Sequence, residues 1–245
     1  MSKPLPVQQK TKKITVSQQL SAIIQEKSVA IMLFLGFSAG LPFALVFATL
    51  SLWLNEAGVS RSTITFFSWA GLGYGFKFVW APLIDQASLP VLTTWLGKRR
   101  SWLILWQFLL LLILAAMALV NPVSTPHSLT LMAILAVALG FTSASQDIVI
   151  DAYRIEITPP ALMSMSAASY SLGYRIAMIV SGALAMMLSQ WFGSSLEHYL
   201  YEAWQWTYLI MAALMLVGIA TTLAVQEPEN SRAPLDSSAS KQLIS

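Results

Sequence analysis

Apolar residues run along the chain in long blocks separated by short polar stretches, at about 29–54, 62–84, 102–120, 129–150, 162–192 and 203–225. Each block approaches or exceeds the ~20 mostly apolar residues that an α-helix needs to cross a hydrocarbon core. The pattern predicts an all-α membrane protein with six transmembrane helices in residues 29–227. A polar tail at 1–28 precedes them, and a disordered Ser- and Pro-rich tail follows at 228–245. The N-terminal tail has no short apolar core ending in a cleavage site, so it does not read as a removable signal peptide. Within the first block, Gly36, Gly40 and Pro42 predict close helix contact and a bend or break near Leu41, since proline lacks the N–H that continues the ladder.

Composition supports this class: 56% of residues are hydrophobic and 10% charged, against roughly 25% charged in soluble domains. Of the fourteen bases, all but Arg61, Lys77 and Arg175 fall on one side of the predicted bundle. The positive-inside rule makes that side, and both termini, cytoplasmic. This placement explains the net charge of +3 and leaves no basic patch for nucleic acid. There is no cysteine, and His127 and His198 lack ligand spacing, so no metal or cofactor is expected. No nucleophile, base and orienting acid cluster together, which argues against an enzyme.

The most informative stretch is GFTSASQDIVIDAYRIE, Gly140 to Glu156, at the end of an otherwise uncharged helix. Asp147 and Asp151 are four apart and share a helical face, which Gly140, Ser143 and Arg154 extend. Ionisable groups in a spanning helix rarely face lipid, so this stripe should line a water-filled cavity or a packed bundle interior. Two readings follow: a substrate or proton site built on Asp147 and Asp151, or a structural pairing with bases on neighbouring helices. Lys77 and Arg175 are the intramembrane bases at suitable depth, and either could neutralise Asp147. Lys77 can snorkel toward the surface, whereas Arg175 lies near mid-span and its planar fork suits a carboxylate ligand.

A repeat is also visible. Leu72-Gly73-Tyr74 recurs as Leu172-Gly173-Tyr174, and Gly36-Phe37-Ser38 as Gly140-Phe141-Thr142, each three helices apart. Inverted 3+3 repeats leave this trace.

Between the second and third helices, Ala81-Pro82-Leu83-Ile84-Asp85 and Gly97-Lys98-Arg99-Arg100-Ser101-Trp102 resemble the acid and Gly-basic-basic turn of the major facilitator superfamily. Here alanine replaces the usual glycine, Gln86 the usual base, and about ten residues are inserted. The resemblance implies a gating role for Asp85, Lys98, Arg99 and Arg100; fixing topology is the alternative. GFSAGLP, FKFVWAPLID, GKRRSW and SASQDIVIDAYRIE together resemble the AmpG family of muropeptide permeases over residues 29–227. That resemblance implies proton-coupled import of anhydromuropeptides across the bacterial inner membrane during peptidoglycan recycling. It favours Asp147, Asp151 and Gln146 as proton or substrate residues. It also suggests Arg175 as the anchor for a peptide-stem carboxylate, with Lys77 nearby.

Family members carry twelve or more helices, so six suggest an N-terminal half that pairs with a second six-helix half or with another copy of itself. The alternatives are a facilitator for another sugar, a peptide or an acyl-CoA, because fold does not fix ligand, and a non-transporting truncated remnant.

Overall fold

The structure is a computed structural model and describes residues 26–228, all of whose regular elements are helical. Nearly all of both predicted tails lies outside the described residues. Five helical stretches are long and apolar enough to cross a membrane: α1 (Lys27–Glu56), α3 (Lys98–Ala118), α4 (Pro126–Ile157), α5 (Pro160–Trp191) and α6 (Tyr201–Ala224). The block at 62–84, predicted as a further span, is not among these five: it folds as α2, residues 61–86, and is not one helix. It runs as Arg61–Phe66, a 3-10 segment Phe67–Gly71, then Leu72–Gly75 and Lys77–Gln86. Gly71, Gly73 and Gly75 weaken the ladder here, since glycine is the poorest helix former after proline.

Of the bend or break expected near Leu41, the break is absent. α1 continues through Pro42 and instead widens into a π-helical turn at Leu45–Thr49, and α5 widens likewise at Val180–Leu184. The two turns meet: Thr49 Oγ1 donates to the Ser181 carbonyl at 2.6 Å. A π turn displaces backbone acceptors from their α-helical partners, and here a neighbouring hydroxyl satisfies one of them.

α1 is the hub. Its most apolar window is 67% buried, whereas that of α5 is 22% buried and much of α5 faces outward. Glycines set the closest crossings. A Cβ on Gly36 or Gly40 would overlap the carbonyl oxygens of Tyr170 and Tyr174, and one on Gly173 would overlap that of Leu33. The α2–α4 crossing uses the corresponding pair: Gly140 packs on the Ala70 carbonyl, and Gly73 on the backbone of Gly140 and Phe141. Small residues let helix backbones approach where lipid supplies no hydrophobic drive.

Two apolar cores fill the bundle. One, around Met32, Leu35, Leu103, Val149 and Tyr153, lies toward the basic end. The other, around Leu50, Trp53, Leu114, Trp204 and Tyr208, lies toward the opposite end. Between them sits a fully buried polar layer in which Gln146 Nε2 donates to Ser38 Oγ at 2.9 Å and Thr222 Oγ1 donates to Gln107 Oε1 at 3.0 Å. At the end away from the bases, Glu56 Oε2 accepts from Trp204 Nε1 and Ser194 Oγ, both at 2.7 Å. Burial raises the Tyr199 phenol above its ordinary pKa, so it stays neutral while accepting from Trp53 Nε1 at 3.2 Å.

Candidate functional site

The polar stripe of α4 is covered by aromatic side chains from α2 and α5. Tyr74 donates to Ser143 Oγ at 2.8 Å, Trp80 Nε1 donates to Ser145 Oγ at 3.1 Å, and Tyr170 donates to Asp147 Oδ1 at 3.2 Å. Of the two environments expected for this stripe, the packed interior holds around Asp147, Ser143 and Ser145 but not at Asp151. Asp147 is 8% exposed. Phe43, Tyr74 and Tyr174 continue the aromatic wall, with Phe43 lying 5.4 Å from the Tyr74 ring and 6.0 Å from the Tyr174 ring.

The two aspartates have different fates. Asp151 pairs with Arg154 at 3.0 Å and its side chain is 45% exposed, a solvated i,i+3 pair of the kind worth only tenths of a kcal/mol, roughly 0.2–0.5. Arg154 also lies over the Tyr170 ring, 5.6 Å from its centre. Tyr170 therefore touches both: its hydroxyl holds Asp147 and its face holds the cation that pairs with Asp151.

Neither intramembrane base forms a contact ion pair with Asp147. Lys77 lies within electrostatic range of it, beside the α2 break at Phe76. Arg175 is exposed on the outward face of α5 with Leu172, Ile176 and Ile179, and has no ion pair among the described residues. Gln146 sits about 100° around the helix from Asp147 and is fully buried against Ser38, away from the aspartate face.

At the basic end, four helices are tied by one arginine. Arg99, at the start of α3, pairs with Asp85 of α2 at 2.7 Å and with Glu156 of α4 through Nε at 2.9 Å. Its backbone N–H, and that of Arg100, donate to the two carboxylate oxygens of Glu227 beyond α6, at 2.7 and 3.0 Å. A carboxylate on the first N–H groups of a helix offsets both the unsatisfied donors and the dipole. Arg100 returns the favour by donating to the Thr222 and Leu223 carbonyls that end α6. Lys98 binds the Asp85 carbonyl. The inserted residues fold into a loop and a short helix, Leu92–Leu96, leaving Asp85 and Arg99 in contact.

Sequence reasoning named Asp85, Lys98, Arg99 and Arg100 but missed Glu227 and Glu156 as their partners, and missed Tyr170 and Tyr74. Glu156 closes the DAYRIE run at the end of α4 on the basic side of the bundle, where a carboxylate near the Lys98-Arg99-Arg100 run was the one readable signal; Glu227 lies 128 residues from Arg99 and offered none. Among the described residues, no group of three His, Cys, Asp or Glu could hold a metal ion.

The family model of the Major Facilitator Superfamily matches residues 32–245. The anhydromuropeptide permease of Escherichia coli (strain K12) is 42% identical over 214 residues, 87% of this chain and 40% of that protein. A putative transporter AmpG 4 of Rickettsia felis is 38% identical over 195 residues, covering 80% and 44%. An uncharacterized protein of Haemophilus influenzae is 34% identical over 215 residues, covering 87% and 47%. The chain thus spans less than half the length of these relatives. With its multi-pass helical fold, its glycine-mediated crossings and this likeness across most of its length, the chain belongs to the major facilitator superfamily.

Proposed function

We propose that this chain forms the N-terminal six-helix half of a proton-coupled importer of anhydromuropeptides in the bacterial inner membrane, with its basic end in the cytoplasm. The observation that carries the reading is the buried Asp147, held by Tyr170 inside an aromatic wall, in a chain 42% identical to an anhydromuropeptide permease. A carboxylate with 8% exposure and, among the described residues, one hydrogen bond is costly to hold ionised without a partner, which favours a role in which it takes up a proton or a pairing cation.

Six crossings and an inverted 3+3 repeat are part of the proposal. The paired glycine crossings support them: Gly36 on Tyr170 corresponds to Gly140 on Ala70, with the glycines related by the 104-residue shift of one sequence repeat and their partners by the 100-residue shift of the other. α2 and α5 present the outward faces on which a second half would dock, because their exposed residues include Phe66, Trp69, Phe76, Ile176 and Ile179. In this arrangement Asp147, with Lys77 and Asp151 near it, serves the proton and the polar part of the substrate, and Arg175 takes a peptide carboxylate contributed from the second half's side. Gln146 has a packing role.

Asp85, Lys98, Arg99 and Arg100 form the cytoplasmic gate. Asp85 is its exchangeable member, since its side chain is 58% exposed, while those of Arg99 and Glu156 are 10% and 18% exposed. Breaking the outer contact costs little, and breaking the inner one costs much more.

The test is uptake by cells whose only candidate importer is this chain together with a second half. Labelled anhydromuropeptide should enter and should be displaced by unlabelled anhydromuropeptide but not by free sugar, peptide or acyl-CoA. Displacement by one of those competitors alone would reassign the substrate, and no uptake would favour a non-transporting role.

A further inference from the structure

At the end of the bundle away from the bases, α1 stops at Glu56 and α5 at Trp191, and beside these two C-terminal ends lies a pocket of about 400 Å³. Leu52, Met186 and Leu196 give it apolar walls, Glu56, Gln190 and Glu197 are among its polar groups, and no base lines it. Helix C-termini carry partial negative charge, and neither helix has a basic residue in its last turn. Two carboxylates and two helix ends thus gather one sign of charge around one space.

Glu56 is held firmly in this pocket. It is 7% exposed, and its Oε2 accepts from Trp204 Nε1 and Ser194 Oγ, both at 2.7 Å. Trp204 is itself fully buried and stacks on Trp53 at 5.7 Å, so the carboxylate is fixed by a group that cannot move aside. Its Oε1 accepts no hydrogen bond among the described residues, and unlike Glu156 Oε2 it is not sealed in the core. A nearly buried carboxylate with one open oxygen is a receptor for a cation. A hard metal ion takes about six or more oxygen ligands, whereas apolar residues form much of this lining. A guanidinium favours both oxygens of a carboxylate, and Oε2 already has two donors. An ammonium is a compact point charge that needs only one oxygen. We infer that this pocket binds a primary ammonium on a short apolar stem, the side-chain amine of a peptide, with the charge at Glu56 Oε1 and the methylenes against Leu52, Met186 and Leu196.

Nα-acetyl-lysine methylamide carries that amine and no other charge. Titrated into the detergent-purified full chain, it should shift the Trp204 indole N–H resonance saturably, because that N–H donates to the same carboxylate. The form acetylated on the side-chain amine as well has lost the cation and should bind at least about tenfold more weakly, the loss expected for a hydrogen bond between charged groups. The arginine analogue should also bind more weakly than the lysine one. Glu56→Gln retains an acceptor for Trp204 and Ser194, so the Trp204 resonance should persist while affinity for the lysine probe falls at least about tenfold. Glu197→Gln, at an exposed position, should lower affinity by less than about fivefold. Binding by the chain alone does not depend on whether it transports. Equal binding of the amine and its acetylated form would overturn the inference. Wild-type affinity in Glu56→Gln, a larger loss in Glu197→Gln than in Glu56→Gln, or tighter binding of the arginine analogue would overturn it too.

Discussion

The Tyr170 hydroxyl on α5 donates to Asp147 Oδ1 on α4 at 3.2 Å, the only hydrogen bond that carboxylate receives among the described residues. Because the same ring carries Arg154 on its face, α5 senses both charges of the α4 stripe. A change in the charge of Asp147 therefore acts directly on the packing of α4 against α5.

Tyr170→Phe keeps the ring and removes the donor. A hydrogen bond to a charged group contributes about 1.5–3 kcal/mol, so uptake by the complete transporter should fall roughly tenfold or more. Tyr174→Phe is the control, since that ring lies 6.0 Å from Tyr170 and makes no bond to Asp147. Similar uptake rates for the two variants would remove Tyr170 from the working site.

Gly36→Ala and Gly140→Ala place a methyl against a backbone carbonyl on the neighbouring helix. Backbone cannot move aside as a side chain can, so each should cost about 1–3 kcal/mol or more of stability. Gly75→Ala meets no atom within 4 Å and should be neutral or stabilising by up to about 1 kcal/mol, from helix propensity alone. Thermal unfolding in detergent ranks the three.

Arg99→Ala strands the partly buried Glu156 carboxylate, whose side chain is 18% exposed, and should cost about 2–3 kcal/mol, below the full penalty for a buried unpaired charge. Lys98→Ala removes a single exposed contact to a carbonyl and should cost under about 1 kcal/mol. Equal melting temperatures for these two variants would mean that Arg99 does not hold the ends of α2, α3 and α4 together.

Arg175→Lys keeps the charge and loses the fork. Uptake of peptide-bearing substrate should weaken more than uptake of the peptide-free disaccharide, measured side by side. Equal loss of both would leave Arg175 without a ligand role.

Hydropathy blocks located the five long apolar helices and the α2 region but passed over the short helix Leu92–Leu96, because only a spanning helix must be apolar along its whole length. They could not show that α2 is in pieces or that α1 and α5 carry π turns, since hydropathy averages over backbone geometry. The four-residue spacing of Asp147 and Asp151 correctly put them on one face but not at one depth of burial: the first lies under Tyr170, the second pairs outward with Arg154. Their covering residues come from other helices, and local sequence holds no record of which ring reaches which carboxylate. Gln146 shows the converse. Its place beside Asp147 in the motif suggested a shared role, yet one residue along a helix turns a side chain by about 100°, into the Ser38 layer.

The central claim is that Asp147 couples proton movement to muropeptide uptake. Its most direct test is initial uptake of labelled anhydromuropeptide, across external pH, by the complete transporter carrying Asp147→Asn. Asparagine keeps the size of the side chain and its acceptor for Tyr170 but cannot release a proton. Proton-linked uptake should be abolished at every pH while the protein remains folded in the membrane. Uptake indistinguishable from wild type across the pH range would contradict the account.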